Sequence, residues 1–320
     1  MKLALGPFNV LAGYVSREIW CTFEALRAHG WRIQESFHFD FAREGELPSY
    51  LRARLGEVPE VVLIWESYWP ALRHIRSLRE AGARVFIMTD DLHWTGRDGM
   101  REALRRADGI LSPYAPVFSD FFPDIDATKV TWIPHAANPD FLLSLNDAPA
   151  PVVFVSGAIN DAYPLRVAMR ALALRRPELA RLHEHPGYAL NFNFTTDRRV
   201  GRGYAEKIAG CLAALTDGLK HRYIVAKHFE IPAAGALLIA DRACAPQLER
   251  LGFVDGEHYV STMSDDLEEV IERVLDPRNR AQIDAIRRRG HDLVHARHTT
   301  AHRAREIDLE CGRRTPHRAS

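Results

Sequence analysis

A chain of 320 residues is long enough for two domains of ordinary size, and an apolar fraction of 47% can fill two cores. Lys+Arg and Asp+Glu both number 42, so no net field draws a polyanion or an anionic membrane, and general nucleic-acid binding falls away as a function. The longest apolar runs are strand-length, far short of a membrane span, and four scattered cysteines without a CxxC pair argue for free thiols in a reducing, cytoplasmic setting.

The opening MKLALGPFNVLAG has too short an apolar core for a signal peptide and reads as a first buried strand, 2–6, with its loop. Ile19, Phe23 and Leu26 recur at helical spacing over 16–29, and Gly30 stops that helix. WRIQESF (31–37) is strand-like, 46–56 helical, VVLIW (61–65) a strand, 69–81 a helix and RVFIMTD (84–90) a strand. A helix over 98–107, a strand GILSP (109–113), a short helix at 115–122 and a strand VTWIPH (130–135) complete the first half. Strands alternating with helices imply a parallel sheet covered on both faces.

Residues 143–151, LSLNDAPAP, concentrate turn formers and make the best linker, placing a first domain at 1–142 and a second at 152–298. The second series runs through VVFVS (152–156), a helix at 163–175, a strand YALNFNF (188–194), a helix at 202–210 and a strand CLAAL (211–215). After KHFEIPAAG come the strand ALLIA (236–240), the strand HYVST (258–262) and helices at 265–275 and 278–296. The charged helix 299–312 follows, and the tail 313–320 reads as disordered. The histidines of HARH (295–298) lie on a charged helix and read as solvent-exposed. The fold class is α/β, two doubly wound domains facing a cleft, with ligands at the carboxyl ends of the strands.

The run KHFEIPAAGALLIAD with LGFVDGEHYV, SDDLEEVIERVLD and HTTAHRAREI resembles the CgeB-like (spore maturation) branch of the glycosyltransferases, which is related to the group-1 transferases of GT-B fold. HPGY (185–188), GRGYAEKIAGCLAALTDG (201–218), AGYVSREIWCTFEALRAHGWRI, RADGILSP (107–113) and IPHAANPDF (133–141) are similar to further segments of it in the same order. The resemblance implies two Rossmann-like domains, the first taking an acceptor and the second a nucleotide-diphosphate sugar. It also implies that helix 299–312 crosses back to the first domain, and that neither metal nor cofactor is required. The implied partners are a nucleotide-sugar donor and a small-molecule or glycan acceptor, with no nucleic acid and no membrane span.

Within that resemblance Glu230 stands at the second glutamate of the E-x7-E pattern, the one that holds the ribose, on a helix over 221–234 that Pro232 kinks or ends and Gly235 caps. The alternative is a surface pair with Lys227. The first glutamate is replaced by Arg222. Arg222 and Lys227 are candidate diphosphate partners, as are Arg166 and Gly157 after the first strand of the second domain, against the alternative of ordinary surface cations. Asp90, with Asp91, follows the fourth strand and is a candidate base or sugar contact, or else an N-cap. Gly13 and Tyr14 in the first loop, with His93, His135 and Glu66, complete the acceptor-side candidates. The function implied is metal-independent glycosyl transfer. Epimerisation or hydrolysis of a nucleotide sugar, and a non-catalytic sugar-binding or spore-coat-like role, stand as alternatives.

Overall fold

The computed structural model describes residues 1–34, 46–66, 68–93, 98–189 and 191–313. The end of the strand expected over 31–37 and the expected disordered tail beyond Arg313 lie outside the described residues. The chain resolves into two compact units. One comprises Met1–Leu11, Thr22–Pro134 and Ala301–Ser320, the other Ala12–Cys21 and His135–Thr300.

The first unit is built on six parallel strands, β1 (Lys2–Leu5), β2 (Trp31–Gln34), β3 (Val61–Trp65), β4 (Arg84–Met88), β5 (Gly109–Ser112) and β6 (Val130–Trp132), in the spatial order β2-β1-β3-β4-β5-β6. VVLIW is buried at every position, as a strand covered on both faces must be. The helix Glu18–Leu26 packs Phe23 onto Phe8 at 4.4 Å between ring centroids and edge-on to Trp65. The closing helix Thr300–Gly312 also belongs here. Its Asp308 accepts from Trp31 Nε1 at 2.7 Å and pairs with Lys2, while Arg303 Nε donates to Pro134 O at 2.8 Å.

The second unit carries five parallel strands, β7 (Ala150–Val155), β8 (Ala180–Leu182), β9 (Cys211–Thr216), β10 (Leu237–Asp241) and β11 (Val260–Thr262), in the order β11-β10-β9-β7-β8. Its helices are Pro164–Arg175, Gly201–Ala209, Lys227–Ala233, Ala245–Arg250, Leu267–Leu275 and Arg280–Arg297. The chain enters this unit at His135, ahead of the expected linker. Ala137 N donates to His298 O at 2.9 Å, and Phe141 and Leu143 are buried in the core under β9 and β10. Leu143 is therefore a core residue rather than part of a solvated connection.

Three expectations fail. The described residues of YALNFNF lie in no strand, and the strand pairing with β7 is 180–182 instead. The aromatics of the expected strand turn to the N-terminal loop. Phe192 N donates to Gly13 O at 3.0 Å, and the Phe194 ring lies under the Arg17 guanidinium at 3.9 Å. The helix expected over 221–234 is only Lys227–Ala233, because Leu219 and Arg222 take positive φ of 55° and 59° in a preceding turn. HARH is not a solvated cluster. His298 is buried and donates to Leu251 O at 2.9 Å, and His295 donates to Ala233 O at 3.0 Å.

Among the described residues no helix is long and apolar enough to cross a membrane. The four cysteines are free.

Candidate functional site

β7 ends at Val155, and Ser156 and Gly157 turn the chain toward the helix Pro164–Arg175. Gly157 has φ +94°, a conformation that side-chain-bearing residues rarely adopt. A Cβ there would lie 2.7 Å from Arg166 Nη1 and 3.2 Å from Lys227 Cε. Arg166, nine positions on, and Lys227, seventy positions on, thus meet Gly157 at the carboxyl end of β7.

Arg166 is no surface arginine. It is 3% exposed, its Nη1 donates to Ala158 O and its Nη2 to Thr216 Oγ1, each at 3.2 Å, and Nε stands 3.2 Å from Asp217 Oδ1. Tyr163 stacks under the guanidinium at 4.0 Å. Burial pushes the Asp217 carboxyl above its ordinary range, against the pull of Arg166. The cation is thereby fixed in place with its Nη1 edge beside Gly157.

Lys227 opens the helix Lys227–Ala233 and extends over the Tyr204 ring, 5.6 Å from its centroid. Tyr204 in turn shares a 2.5 Å hydrogen bond with Ser156 Oγ. His185 stands close enough that, after burial, the charges of Lys227 and Arg166 help press its pKa down to about 4, so the ring is neutral. Its ring meets Tyr188 at 4.7 Å, and Tyr188 stacks on Tyr14 at 6.4 Å.

Glu230 lies one turn beyond Lys227 and is 4% exposed, which rules out the solvated pair. Among the described residues no hydrogen bond or ion pair reaches its carboxylate. Burial raises its pKa to about 7, with Lys227 opposing and the negative charges of Glu18 and Asp140 reinforcing the rise. The helix continues past Pro232 to Ala233, and Gly235, at φ +88°, ends it with its N–H on Pro232 O at 2.9 Å.

Next to Glu230 stands a second buried pair. His135 Nδ1 meets Glu18 Oε2 at 2.5 Å, and Glu18 Oε1 accepts from Ala136 N at 2.9 Å. Asp140 binds Arg17 at 2.6 Å. Glu18, Arg17 and Asp140 were not singled out from sequence. Glu18 reads there as an acid in the first turn of a helix, the ordinary place for one. His228 was also passed over. It is fully buried, its Nδ1 meets Val225 O at 3.1 Å, its Nε2 has no partner among the described residues, and burial drives its pKa to about 3.

The other candidates are placed as follows. Arg222 is exposed in the turn before the Glu230 helix, where its carbonyl accepts from Gln247 Nε2 at 2.8 Å. It therefore does not share the helix that carries Lys227 and Glu230. In the first unit, Glu66 follows β3 and Asp90 and Asp91 follow β4. These are neighbouring parallel strands paired through Trp65 and Met88, so all three residues lie at the carboxyl end of the sheet. Asp90 is half-buried, and the exposed Asp91 stands 4.0 Å from His93 Nδ1.

Residues 176–308 match a family model described as glycosyl transferase-like. No curated protein matches the chain. Among solved structures it is similar to Alr3699/HepE of Anabaena in complex with UDP and glucose, at 12% identity and TM-score 0.58, over 98% of this chain and 99% of that one. The fold is that of the GT-B glycosyltransferases. A glycosyltransferase of Rickettsia africae is similar in this GT-B fold at 10% identity and TM-score 0.55, over 92% of this chain and 88% of that one. OtsA in its apo form is similar at 13% identity and TM-score 0.56, over 94% and 79%. The family match covers Lys227 and Glu230 and runs from just before β8 into the closing helix, while Gly157 and Arg166 precede it.

Proposed function

We propose that the protein is a glycosyltransferase that takes a sugar from a nucleotide-diphosphate donor bound to the second unit, in the CgeB-like, group-1 manner. The observation that carries this reading is Gly157 with Arg166 and Lys227 drawn against it at the end of β7. Two fixed cations beside a residue without a side chain suit a diphosphate, whose charge rises as the nucleotide departs. In this reading the side chains supply the positive charge, and the site is metal-independent.

Glu230, buried and without a hydrogen bond or ion pair among the described residues, takes the ribose: two acceptor oxygens match two vicinal hydroxyls. Arg222 assists the diphosphate from the preceding turn. Gly13, Tyr14 and His135 line the acceptor side. Asp90 and Asp91, with His93, are offered as a hydroxyl contact or base. The relatives support a uridine nucleotide as the first donor to try, since the Anabaena protein holds UDP and glucose.

The test is a thermal-shift panel of UDP, GDP, dTDP, ADP and CDP. A nucleotide at a hundred times its dissociation constant adds about 2.7 kcal/mol of stability. No shift with any of them overturns the reading. Release of nucleoside diphosphate from a nucleotide sugar only when an acceptor is present separates transfer from hydrolysis.

A further inference from the structure

The helix Arg280–Arg297 carries Arg287, His291 and His295 at four-residue spacing along one face, and all three end on backbone carbonyl oxygens. Arg287 Nε donates to Gly235 O at 2.5 Å, and its Nη2 donates to Asn146 O. His291 Nε2 donates to Leu143 O at 2.8 Å, and His295 Nε2 to Ala233 O at 3.0 Å. Ala233 O also accepts from Leu143 N at 3.3 Å, so the row ties the end of the Lys227–Ala233 helix to the segment 143–146. Gly290, on the same helix, approaches so closely that a Cβ would lie 3.6 Å from Pro232 Cβ and 2.4 Å from His258 O.

The tied helix needs such help. It is seven residues long, below the length at which a helix holds itself in water, and Pro232 removes one of its internal hydrogen bonds. The backbone N–H groups of Ala234, Gly235 and Ala236 take the carbonyls of Glu230, Pro232 and Ile231, which leaves the final carbonyl, Ala233 O, to His295 and Leu143 N, while Arg287 holds Gly235 O just beyond the helix. We infer that Arg287, His291 and His295 are positioning residues: they hold the helix by its final turn so that Lys227 and Glu230 meet a nucleoside diphosphate. The inference rests on the donor-site reading above. None of the three touches the proposed ligand. They act through the helix, where a displacement of about 1 Å can cost on the order of a hundredfold in function.

The experiment compares His295→Ala and His295→Gln with the parent protein, using UDP as the probe and amide hydrogen exchange as a second measurement. Gln keeps an N–H donor where the imidazole had one. The expected result is that His295→Ala weakens UDP binding by about tenfold or more. It should also speed exchange of the amides of 227–233 relative to those of β9 and β10, and His295→Gln should recover both. Unchanged exchange in 227–233 overturns the inference, as does faster exchange with UDP affinity intact. A parent protein that binds no nucleoside diphosphate sinks the donor-site reading itself, a different outcome read on the parent alone. If His295→Ala does not fold, His291→Ala removes the neighbouring tie and is read by the same two measurements.

Discussion

Glu18 and His135, 117 positions apart, share a 2.5 Å contact in the second unit, at 3% and 7% exposure. Glu18 also takes the Ala136 N–H, so one carboxylate fixes both the ring and the backbone at the point where the chain enters that unit. Removing Glu18 takes away that contact of the buried His135 ring and the acceptor of the Ala136 N–H. Glu18→Ala is expected to lower unfolding stability by about 3 kcal/mol, measured by chemical denaturation, whereas a loss below about 1 kcal/mol would mean the pair is not held as described.

Glu230 makes stability depend on pH in an unusual direction for an acid. Its folded pKa, about 7, lies above the ordinary 4.5. Below the ordinary value both states carry the proton and no penalty exists. As pH rises from about 4.5 to about 7 the unfolded chain ionises first, and the folded state loses ground, by roughly 3 kcal/mol in total. Glu230→Gln should abolish that fall, so the variant gains on the parent across this window and levels off above it. Parallel stability curves for the two proteins would refute the assignment.

The same group governs binding if the ribose prefers the carboxylate. Affinity for UDP is then expected to rise as pH climbs to about 7 and to flatten beyond, with Glu230→Gln weak at every pH. Calorimetric titration at several pH values reads this directly. A parent affinity that ignores pH would return Glu230 to a purely structural place.

Arg166 and Lys227 separate by what they leave behind. Arg166→Ala strands the fully buried Asp217 and should cost about 3–5 kcal/mol of stability as well as donor binding. Lys227→Met strands no paired acid and should lose donor affinity with little change in melting temperature. A Lys227→Met protein that binds UDP normally counts against the cradle.

Gly290→Ala tests the close approach of two elements. The new methyl meets the His258 carbonyl, a backbone group that cannot swing away, and the expected loss is about 1–3 kcal/mol by denaturation. No loss would mean that the helix Arg280–Arg297 shifts freely.

The two sheets were legible because their strands are continuous apolar runs such as VVLIW and CLAAL, buried on both faces. The segment 183–200 was not. YALNFNF alternates as a strand does, yet its aromatics answer to Gly13, Tyr14 and Arg17, nearly two hundred positions earlier, and no local pattern records such a partner. Lys227, Arg166 and Gly157 were each named from sequence, and their meeting at one point was what the fold added. Glu18 and Asp140 stayed hidden for the same reason as YALNFNF, since their partners are remote and their local settings are ordinary. The helix before Glu230 was read too long because nothing in DGLKHR marks Leu219 and Arg222 for the left-handed turn that ends it.

The two units alternate along the chain: Ala12–Cys21 of the second falls between segments of the first, and Ala301–Ser320 of the first follows the second. During synthesis, therefore, neither can be finished early. The first 134 residues emerge while Trp31 and Lys2 still await Asp308, and the second unit is closed only when the residues near 300 arrive to pair with Ala137. Each sheet can pair its strands beforehand, but the contacts that close each unit wait on the stretch 298–308.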